Sequence, residues 1–381
     1  MHQPAILQLP ASGDPALMEI LRLFTMMVKH NASDLHVKVG QPPVFRVAGQ
    51  LSRMQNVPAL SPEQCQNLLE PLMNDVQRET LTNNGNVDFA WFQEDIGRFR
   101  CNIYLQRGYL SAAIRKVNLQ IPSYEELNLP PILSKIADYE QGLVLIGGIT
   151  GSGKSTTLAT ILNDINAKRR CHILTIEDPI EYLFEDNLAI VNQREVGIDV
   201  MDFKESLRAA VRQDPDVILI GEMRDAETFE TALTAAETGH LVFGTIHSSG
   251  CAQTIGRILD LFPDEKHEAL RTGLAFNLRV IMNQKLLKAT KRDMGRIPAV
   301  ERMFVTPIIR KIIEEGEDSR LVDAIKQDTE YGCATFNEVL ADLVKRGMVS
   351  QETALKAAPN AEELRMAMSG ISISDGGGIV G

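Results

Sequence analysis

The residues with the clearest chemistry form one glycine-rich loop. Gly148 to Ser155 read GITGSGKS, which fits the pattern GxxxxGK[ST] at every fixed position. The loop follows an apolar run, Leu143–Gly147, and Lys154 opens a predicted helix, which is the context that the pattern requires. Glycines let such a loop curl until its backbone N–H groups point at phosphate, and the helix N-terminus adds partial positive charge. The pattern therefore predicts a phosphate-binding loop.

Roles within this loop follow from its side chains. The Lys154 ammonium group would reach the β- and γ-phosphates of ATP, and the Ser155 hydroxyl would bind Mg²⁺. A glycine-rich turn that merely precedes a helix is the alternative, but the lysine, the serine and the preceding strand favour a nucleotide site. We expect the nucleotide to contact Gly148, Thr150, Gly151, Ser152, Gly153, Lys154, Ser155 and Thr156.

Acidic side chains follow two other apolar runs. Asp216–Ile220 leads into Gly221 and Glu222, so a glycine holds the position where P-loop enzymes usually carry an aspartate. At the carboxyl end of a strand, Glu222 could polarise the attacking water as general base, or it could cap the next turn. Glu177 follows Ile173–Ile176. It could bind Mg²⁺ directly or through water, or belong to a charged turn.

A histidine ends a further apolar run. His247 follows Leu241–Ile246, where its ring could sense the γ-phosphate or orient the water. An isolated histidine in such a place is more often a buried, hydrogen-bonded residue. Its position at a strand end beside the phosphate loop favours function, so we group His247 with Glu177 and Glu222 as catalytic candidates.

The elements that carry these residues alternate between short apolar strands and longer helical segments, which is typical of a parallel α/β sheet. The first ~115 residues instead predict a small α+β domain. It begins with an amphipathic helix near Pro15 and includes Arg98–Gln106, a strand with one apolar and one polar face. The stripe on that helix could lie on a membrane, but its polar face is not basic, so core packing is favoured.

Turn residues and composition divide the chain into predicted segments. Asn118–Ser123 and Leu129–Pro131 carry turn signals, the chain beyond residue 307 has the pattern of several helices, and the glycine-rich end is typical of a flexible tail. The segments are a flexible leader (1–14), an N-terminal α+β domain (15–117), a linker (118–131), an ATPase domain (132–306), a C-terminal helical region (307–368) and a flexible tail (369–381).

Composition limits the class of protein. The 381 residues include 39 Lys or Arg and 50 Asp or Glu, for a formal net charge of −11. An acidic chain argues against a broad nucleic-acid footprint. Five scattered cysteines without a CxxC pair fit a reducing compartment. The start does not resemble a signal peptide, and no apolar run reaches the ~20 residues that span a bilayer. We therefore expect a soluble, cytoplasmic protein.

Longer motifs resemble one family, the PilT-type twitching-motility ATPases of the secretion-ATPase superfamily. Ile173–Glu181 (ILTIEDPIE) is similar to the family's Asp box, and Gly221–Asp225 (GEMRD) to its atypical Walker B motif. Ala235–His247 carries the His box, and the phosphate loop has Ile149 where the family usually has proline. The resemblance extends from about Leu17 to Ser350 and includes Val191–Val196 (VNQREV) and Arg212–Asp216 (RQDPD).

The resemblance implies a fold and a set of site residues. The implied fold is α/β, a RecA-like P-loop NTPase domain with a small N-terminal α+β (PAS-like) domain and C-terminal helices. Glu177 corresponds to the Asp-box acid, Glu222 to the catalytic base and His247 to the His-box residue. Gly97–Arg115 is similar to the segment that supplies arginines to the nucleotide in the hexamer. The candidates are Arg98, Arg100 and Arg115 as a group, with solvated strand-face charges as the alternative for each.

The same resemblance implies partners and a location. The protein that it implies is a cytoplasmic homohexamer that hydrolyses ATP with Mg²⁺ to power retraction of type IV pili. Such a ring acts at the cytoplasmic face of the inner membrane, which it reaches through a pilus platform protein, and a paralogous ATPase is a further candidate partner. No direct contact with nucleic acid is expected.

Two features bear on the choice within the superfamily. Pilus-assembly and type II secretion ATPases typically carry paired CxxC motifs and extra N-terminal domains, and neither is found in this sequence. The family's AIRNLIRE segment aligns with Ile308–Glu315, where Arg310 is kept but Glu314 replaces the second arginine. An accessory PilU-like ATPase therefore stays an alternative, and a RecA-like nucleic-acid translocase a less favoured one. A P-loop kinase would leave the N-terminal domain unexplained, and an inactive subunit would not need the retained catalytic residues.

Overall fold

The computed structural model describes residues 15–47, 49–117, 120–291 and 295–368. The predicted leader and tail lie outside these residues, as does the start of the predicted linker. The described residues fall into two compact units, one before and one after the boundary between residues 119 and 120. None of the helices in the described ranges has the length and apolarity needed to cross a membrane.

The first unit contains an antiparallel sheet with helices packed on one face. Its strands lie in the order β3-β2-β1-β6-β5-β4. Its described helices and strands are α1 (Pro15–Lys29), β1 (Ala32–Val37), β2 (Val44–Val47), β3 (Gln50–Arg53), α2 (Pro62–Leu69), α3 (Asp75–Asn84), β4 (Asn86–Gln93), β5 (Gly97–Gln106) and β6 (Tyr109–Val117).

Alternation along β5 separates the two faces of this sheet. Phe99, Cys101 and Ile103 are fully buried, and Phe24 of α1 stacks on Phe99 with ring centroids 4.2 Å apart. The apolar stripe of α1 therefore packs in the core, as favoured from the sequence. We call the opposite side the polar sheet face, and its charged side chains include Asp34, Arg46, Asp88, Arg98, Arg100 and Arg115.

The second unit is built on a seven-stranded sheet in the order β13-β12-β7-β11-β10-β8-β9. Neighbouring strands are parallel except β12 and β13. Its described helices and strands are β7 (Gly142–Gly147), α4 (Lys154–Lys168), β8 (His172–Glu177), β9 (Ile190–Glu195), α5 (Phe203–Ala210), β10 (Val217–Ile220), α6 (Ala226–Glu237), β11 (Leu241–Ile246), α7 (Cys251–Leu259), α8 (His267–Asn277), β12 (Leu278–Lys288), β13 (Arg296–Phe304), α9 (Pro307–Glu315), α10 (Leu321–Gln327), α11 (Phe336–Lys345), α12 (Gln351–Ala357) and α13 (Ala361–Met368).

The central strands of this sheet confirm the predicted parallel α/β arrangement. Every residue of β7, β10 and β11 is buried, as expected for strands covered on both faces. The helices after residue 307 belong to this same unit. Some of them pack on the ends of β12 and β13 through a small apolar cluster that includes Leu287, Ile297, Phe336, Leu340 and Leu364.

Candidate active site

Four neighbouring strands bring predicted site residues to one edge of the sheet. β7, β11, β10 and β8 are adjacent and parallel, so their carboxyl ends lie at the same edge. Across that edge β7, β11 and β10 lead into the phosphate loop, His247 and Glu222, and β8 ends at Glu177. Ligands bind at this edge in open α/β sheets, and we call it the catalytic edge.

Glycines give the phosphate loop its curled backbone. Gly148, Gly151 and Gly153 have φ values of 142°, 77° and 88°, a region that residues with a Cβ rarely adopt. Gly153 is also the N-cap of α4, so the loop leads directly into the helix N-terminus. Thr150 and Gly151 are exposed at the tip of the loop, and Thr156 Oγ1 lies 3.0 Å from the Tyr182 hydroxyl.

Lys154 folds back onto its own loop. Its Nζ donates hydrogen bonds to the carbonyl oxygens of Gly148 at 2.9 Å and Ile149 at 3.2 Å. Burial lowers the pKa of Lys154, and the negative charge of Glu222 opposes that shift. A phosphate entering the loop would offer this ammonium group a charged acceptor in place of two neutral carbonyls, a stronger hydrogen bond.

Glu222 is held by two basic side chains. Arg224 donates a 2.5 Å hydrogen bond to Oε2, and His247 Nε2 lies 2.8 Å from Oε1. The second contact brings the imidazole ring against the buried Oε1 atom at ion-pair distance. Burial by itself would raise the pKa of Glu222, but Arg224 and His247 together hold it below the ordinary value.

Gly221 explains why the acid stands one position later than in most P-loop enzymes. A Cβ at this position would lie 3.1 Å from the Ile176 carbonyl oxygen and 3.2 Å from Glu177 Cα. The backbone of β8 therefore leaves little room for an aspartate at position 221. The next residue, Glu222, points its carboxylate into the site instead.

Glu177 is a buried acid with its own hydrogen-bond donors. Its side chain accepts hydrogen bonds from Thr175 Oγ1 at 2.7 Å and Gln193 Nε2 at 3.2 Å. Burial raises the pKa of Glu177 to about 6, although these two hydrogen bonds oppose the shift. Together with Ser155 and Glu222, it lines a cavity of about 80 Å³. The Ser155 hydroxyl and the Glu177 carboxyl group are oxygen ligands of the kind that Mg²⁺ prefers, so the residues predicted to hold the metal fit it.

The three arginine candidates lie together on the polar sheet face of the first unit. Arg100 is opposite Arg115 in the pairing of β5 and β6, and Arg98 is two residues before Arg100 on the same strand face. Arg115 Nε donates a 2.8 Å hydrogen bond to Asp34, whereas Arg100 Nε lies 3.7 Å from Asp88. The structure thus brings these arginines together and gives Arg115 the shorter ion pair.

Several residues at the catalytic edge were missed from the sequence. Arg224 follows Glu222 by two residues, so its place inside the GEMRD motif could have suggested it. Thr175 and Gln193 lie inside the ILTIEDPIE and VNQREV motifs, which could have suggested them in the same way. Gln193 reaches Glu177 only because β8 and β9 pair side by side.

Comparisons with known proteins agree with these features. The family described as "Type II/IV secretion system protein" matches residues 12–363. The type IV pilus retractation ATPase PilT of Pseudomonas aeruginosa is 42% identical over 341 residues, 90% of this chain and 98% of that protein. The type IV pilus ATPase PilU of the same organism is 39% identical over 358 residues, 94% and 93% of the two chains.

A solved structure shares the fold. The crystal structure of the pilus retraction motor PilT with bound ADP matches with a TM-score of 0.86 at 42% identity, over 91% of this chain and 98% of that one. The family resemblance and the P-loop α/β fold predicted from the sequence are therefore confirmed. The chain belongs to the type II/IV secretion system protein family and, within it, to the PilT-like ATPases.

Proposed function

We propose that this chain is an ATP-hydrolysing motor subunit that powers retraction of a type IV pilus. The observation that carries the proposal is the meeting of the phosphate loop, Glu177, Glu222 and His247 at the catalytic edge of a chain 42% identical to a pilus retractation ATPase. A nucleic-acid translocase on the same core would need a basic binding surface, and the net charge of −11 disfavours it.

Nucleotide binding is assigned to the phosphate loop. Its N–H groups and Lys154 hold the phosphates, and Thr150, Ser152 and Thr156 complete the contacts predicted above. Mg²⁺ would be held by the Ser155 hydroxyl and by Glu177, directly or through water, and it would neutralise charge on the phosphates. For Lys154 the binding step is an exchange of partners, because its ammonium group must leave the carbonyl oxygens of Gly148 and Ile149.

Glu222 is assigned as the general base. Its pKa lies below the ordinary value, so the group is ionised at neutral pH, and its carboxylate lines the cavity beside Ser155, where it can take a proton from water. His247 lies against that same oxygen, where it can orient the water or sense the γ-phosphate. Arg224 holds the other oxygen and so fixes the direction in which the carboxylate points.

The arginines of the first unit are assigned to charge stabilisation across a ring. We place Arg98, Arg100 and Arg115 at the γ-phosphoryl group in a homohexamer, where arginine fingers contribute about 10³–10⁵ in rate. Of Arg100 and Arg115, Arg100 is the better candidate for direct contact, since its ion pair with Asp88 is long and exposed. Arg115 is paired with the buried Asp34 and is better suited to holding the polar sheet face in place than to contacting phosphate.

The proposed setting is the cytoplasmic face of the inner membrane, with a pilus platform protein as partner. An accessory role beside a second ATPase is the other candidate, and one observation favours it. Glu314, which replaces an arginine of the family's AIRNLIRE segment, is exposed on α9 and is therefore free to alter a partner contact.

A paired assay tests the proposal. Lys154→Ala should abolish Mg²⁺-dependent ATP hydrolysis and fail to restore twitching to a host that lacks its retraction ATPase. Lys168→Ala, at the far end of the same helix, is the matched control and should retain both activities. Turnover in Lys154→Ala equal to the parent would refute the site. Restored twitching only alongside a second ATPase would identify the accessory role.

A further inference from the structure

Two consecutive amides on β12 are buried against the loops of the catalytic edge. Asn283 is 1% and Gln284 is 2% exposed, although side chains of this type usually lie at the surface. Buried amides need hydrogen-bond partners. The hydrogen-bond partners of the two side chains lie in the phosphate loop, in α4, directly after His247 and in α7.

Gln284 joins the phosphate loop to the helix after it. Its Nε2 donates a 2.8 Å hydrogen bond to the Ser152 carbonyl oxygen, and its Oε1 accepts a 2.8 Å hydrogen bond from Thr157 Oγ1. Ser152 lies inside the loop and Thr157 lies in the first turn of α4. One side chain therefore sets the spacing between the two parts that must surround the phosphates.

The glycines of the loop fit against this same residue. A Cβ on Gly148 would lie 2.6 Å from the Gln284 carbonyl oxygen, and a Cβ on Gly153 would lie 2.7 Å from Gln284 Nε2. At Gly148 the contact is with backbone and leaves no room for a Cβ, and at Gly153 a Cβ would displace the Gln284 amide. This close packing shows that β12 lies directly against the phosphate loop, with Gln284 at the point of contact.

Asn283 supports the neighbouring segment in the same way. Its Nδ2 donates to Thr254 Oγ1 at 3.0 Å, and its Oδ1 accepts from Ser248 Oγ at 3.2 Å. Ser248 directly follows His247. Asn283 and Gln284 are adjacent on β12, so the phosphate loop and the segment beside His247 are both held in place by the same strand.

We infer that Gln284 is a positioning residue for ATP hydrolysis, which holds the phosphate loop in its binding conformation through Ser152 and Thr157. It does not touch the reacting atoms. The inference rests on the proposed function, because it takes the loop as the ATP site. Preorganised binding groups avoid the cost of ordering when the ligand arrives, so loss of the amide should act first on ATP affinity.

The test is steady-state ATPase kinetics of the full chain carrying Gln284→Met. This change keeps the length of the side chain but removes both hydrogen bonds, and it should raise the KM for ATP about 10-fold with a smaller change in kcat. Lys288→Met, at the exposed end of the same strand, is the matched control and should leave both constants unchanged. A KM within about two-fold of the parent for Gln284→Met would overturn the inference.

A second pair of variants keeps the test decisive if Gln284→Met does not fold. Thr157→Val removes one of the two hydrogen bonds and should raise KM about 3- to 5-fold, whereas Thr157→Ser keeps the hydroxyl and should behave like the parent. Equal KM values for the two would contradict the inference. Where all variants fold, adding Thr157→Val to Gln284→Met should raise KM by a smaller factor than Thr157→Val does in the parent, because the amide that accepts the Thr157 hydrogen bond is already gone.

Failure of the proposed function would look different from failure of this inference. Lys154→Ala reports on the site itself, so activity in that variant would remove the ATP assignment whatever Gln284 does. A role for Gln284 in folding alone would lower the thermal unfolding midpoint measured without nucleotide and leave the KM of the folded enzyme unchanged.

Discussion

Both units gather charged side chains, but they hold them in different ways. At the catalytic edge, Glu177 is 8% exposed with a pKa raised to about 6, and Glu222 lies between Arg224 and His247. On the polar sheet face, the Arg100 and Asp88 side chains are 41% and 49% exposed and their atoms lie 3.7 Å apart. Exposed pairs of this kind contribute little to stability.

The difference follows from sheet topology. Parallel strands end at one edge, so residues far apart in sequence converge there on a small volume, with the surrounding sheet and helices to exclude water. Antiparallel strands instead spread alternate residues over a flat face in contact with solvent. The side chains of the catalytic edge are therefore held by one another within the second unit, whereas the polar sheet face would gain a catalytic role only in the ring that we propose.

The largest expected effect comes from removing the arginines of the polar sheet face. Arg98, Arg100 and Arg115 changed together to Ala should lower kcat by about 10³-fold or more, because charge on the transferred phosphoryl group would lack its cations. ADP affinity should change much less, since the phosphate loop is intact. Arg78→Ala, in an exposed ion pair on α3, is the control. Near-parental kcat in the triple variant would leave these arginines as surface charges.

Mixing two inactive subunits would show whether the two regions act between chains. Lys154→Ala keeps the arginines, and the triple arginine variant keeps the phosphate loop. If the arginines act across a subunit boundary, mixed rings should recover part of the ATPase activity, because some sites combine both intact parts. Co-assembled rings without recovery would restrict the arginines to their own chain.

A pH profile should distinguish the buried acid of the catalytic edge from exposed ones. Because the pKa of Glu177 is about 6, kcat/KM for Mg²⁺-ATP should fall about tenfold per pH unit below that value, as the carboxylate needed for Mg²⁺ is protonated. Glu177→Gln should lower kcat/KM about 10- to 100-fold at pH 7.5 and lack this limb. Glu185→Gln, an exposed acid nearby, should keep the parental profile; a parental profile in Glu177→Gln would exclude the role.

Ionised Glu177 should also lower the free energy of unfolding of the chain. The raised pKa of Glu177 means that the folded chain binds this proton more tightly than the unfolded chain does. Its ionised form therefore destabilises the fold above pH 6, and this penalty disappears as the pH falls below the ordinary value of 4.5. Glu177→Gln should stabilise the chain by about 2 kcal/mol at pH 7.5 in urea unfolding. A loss of stability at that pH would contradict the account.

The smallest effect is expected on the polar sheet face. Asp34 is partly buried, which by itself would raise its pKa, but hydrogen bonds from Ser33 and Arg115 hold the pKa below its ordinary value. Asp34→Asn should cost at most about 1 kcal/mol at pH 7, because its partner Arg115 is exposed and solvent weakens the pair. This contribution is present above pH 3.8 and lost as the pH falls through the folded pKa. The unfolding free energies of the parent and of Asp34→Asn should therefore converge in acid. Asp75→Asn, fully exposed beside Arg78, should show no change.

The sequence predicted the parts of the site that depend on local pattern. Glycine spacing located the phosphate loop, and apolar runs located β7, β8, β10 and β11. β12 was missed because Asn283 and Gln284 interrupt its apolar pattern, and their burial is satisfied only by partners far away in sequence. The predicted domain boundaries stay predictions.

The most direct test of the account is the behaviour of Glu222→Gln. The change is nearly isosteric and removes the base while leaving the phosphate loop in place. We expect ATP to bind with parental affinity and turnover to fall at least about 100-fold, the usual scale for a lost general base. Single-turnover hydrolysis alongside ATP titration measures both quantities. Unchanged binding with unchanged turnover would contradict the account, because the base would then have to be another residue, with Glu177 the next candidate.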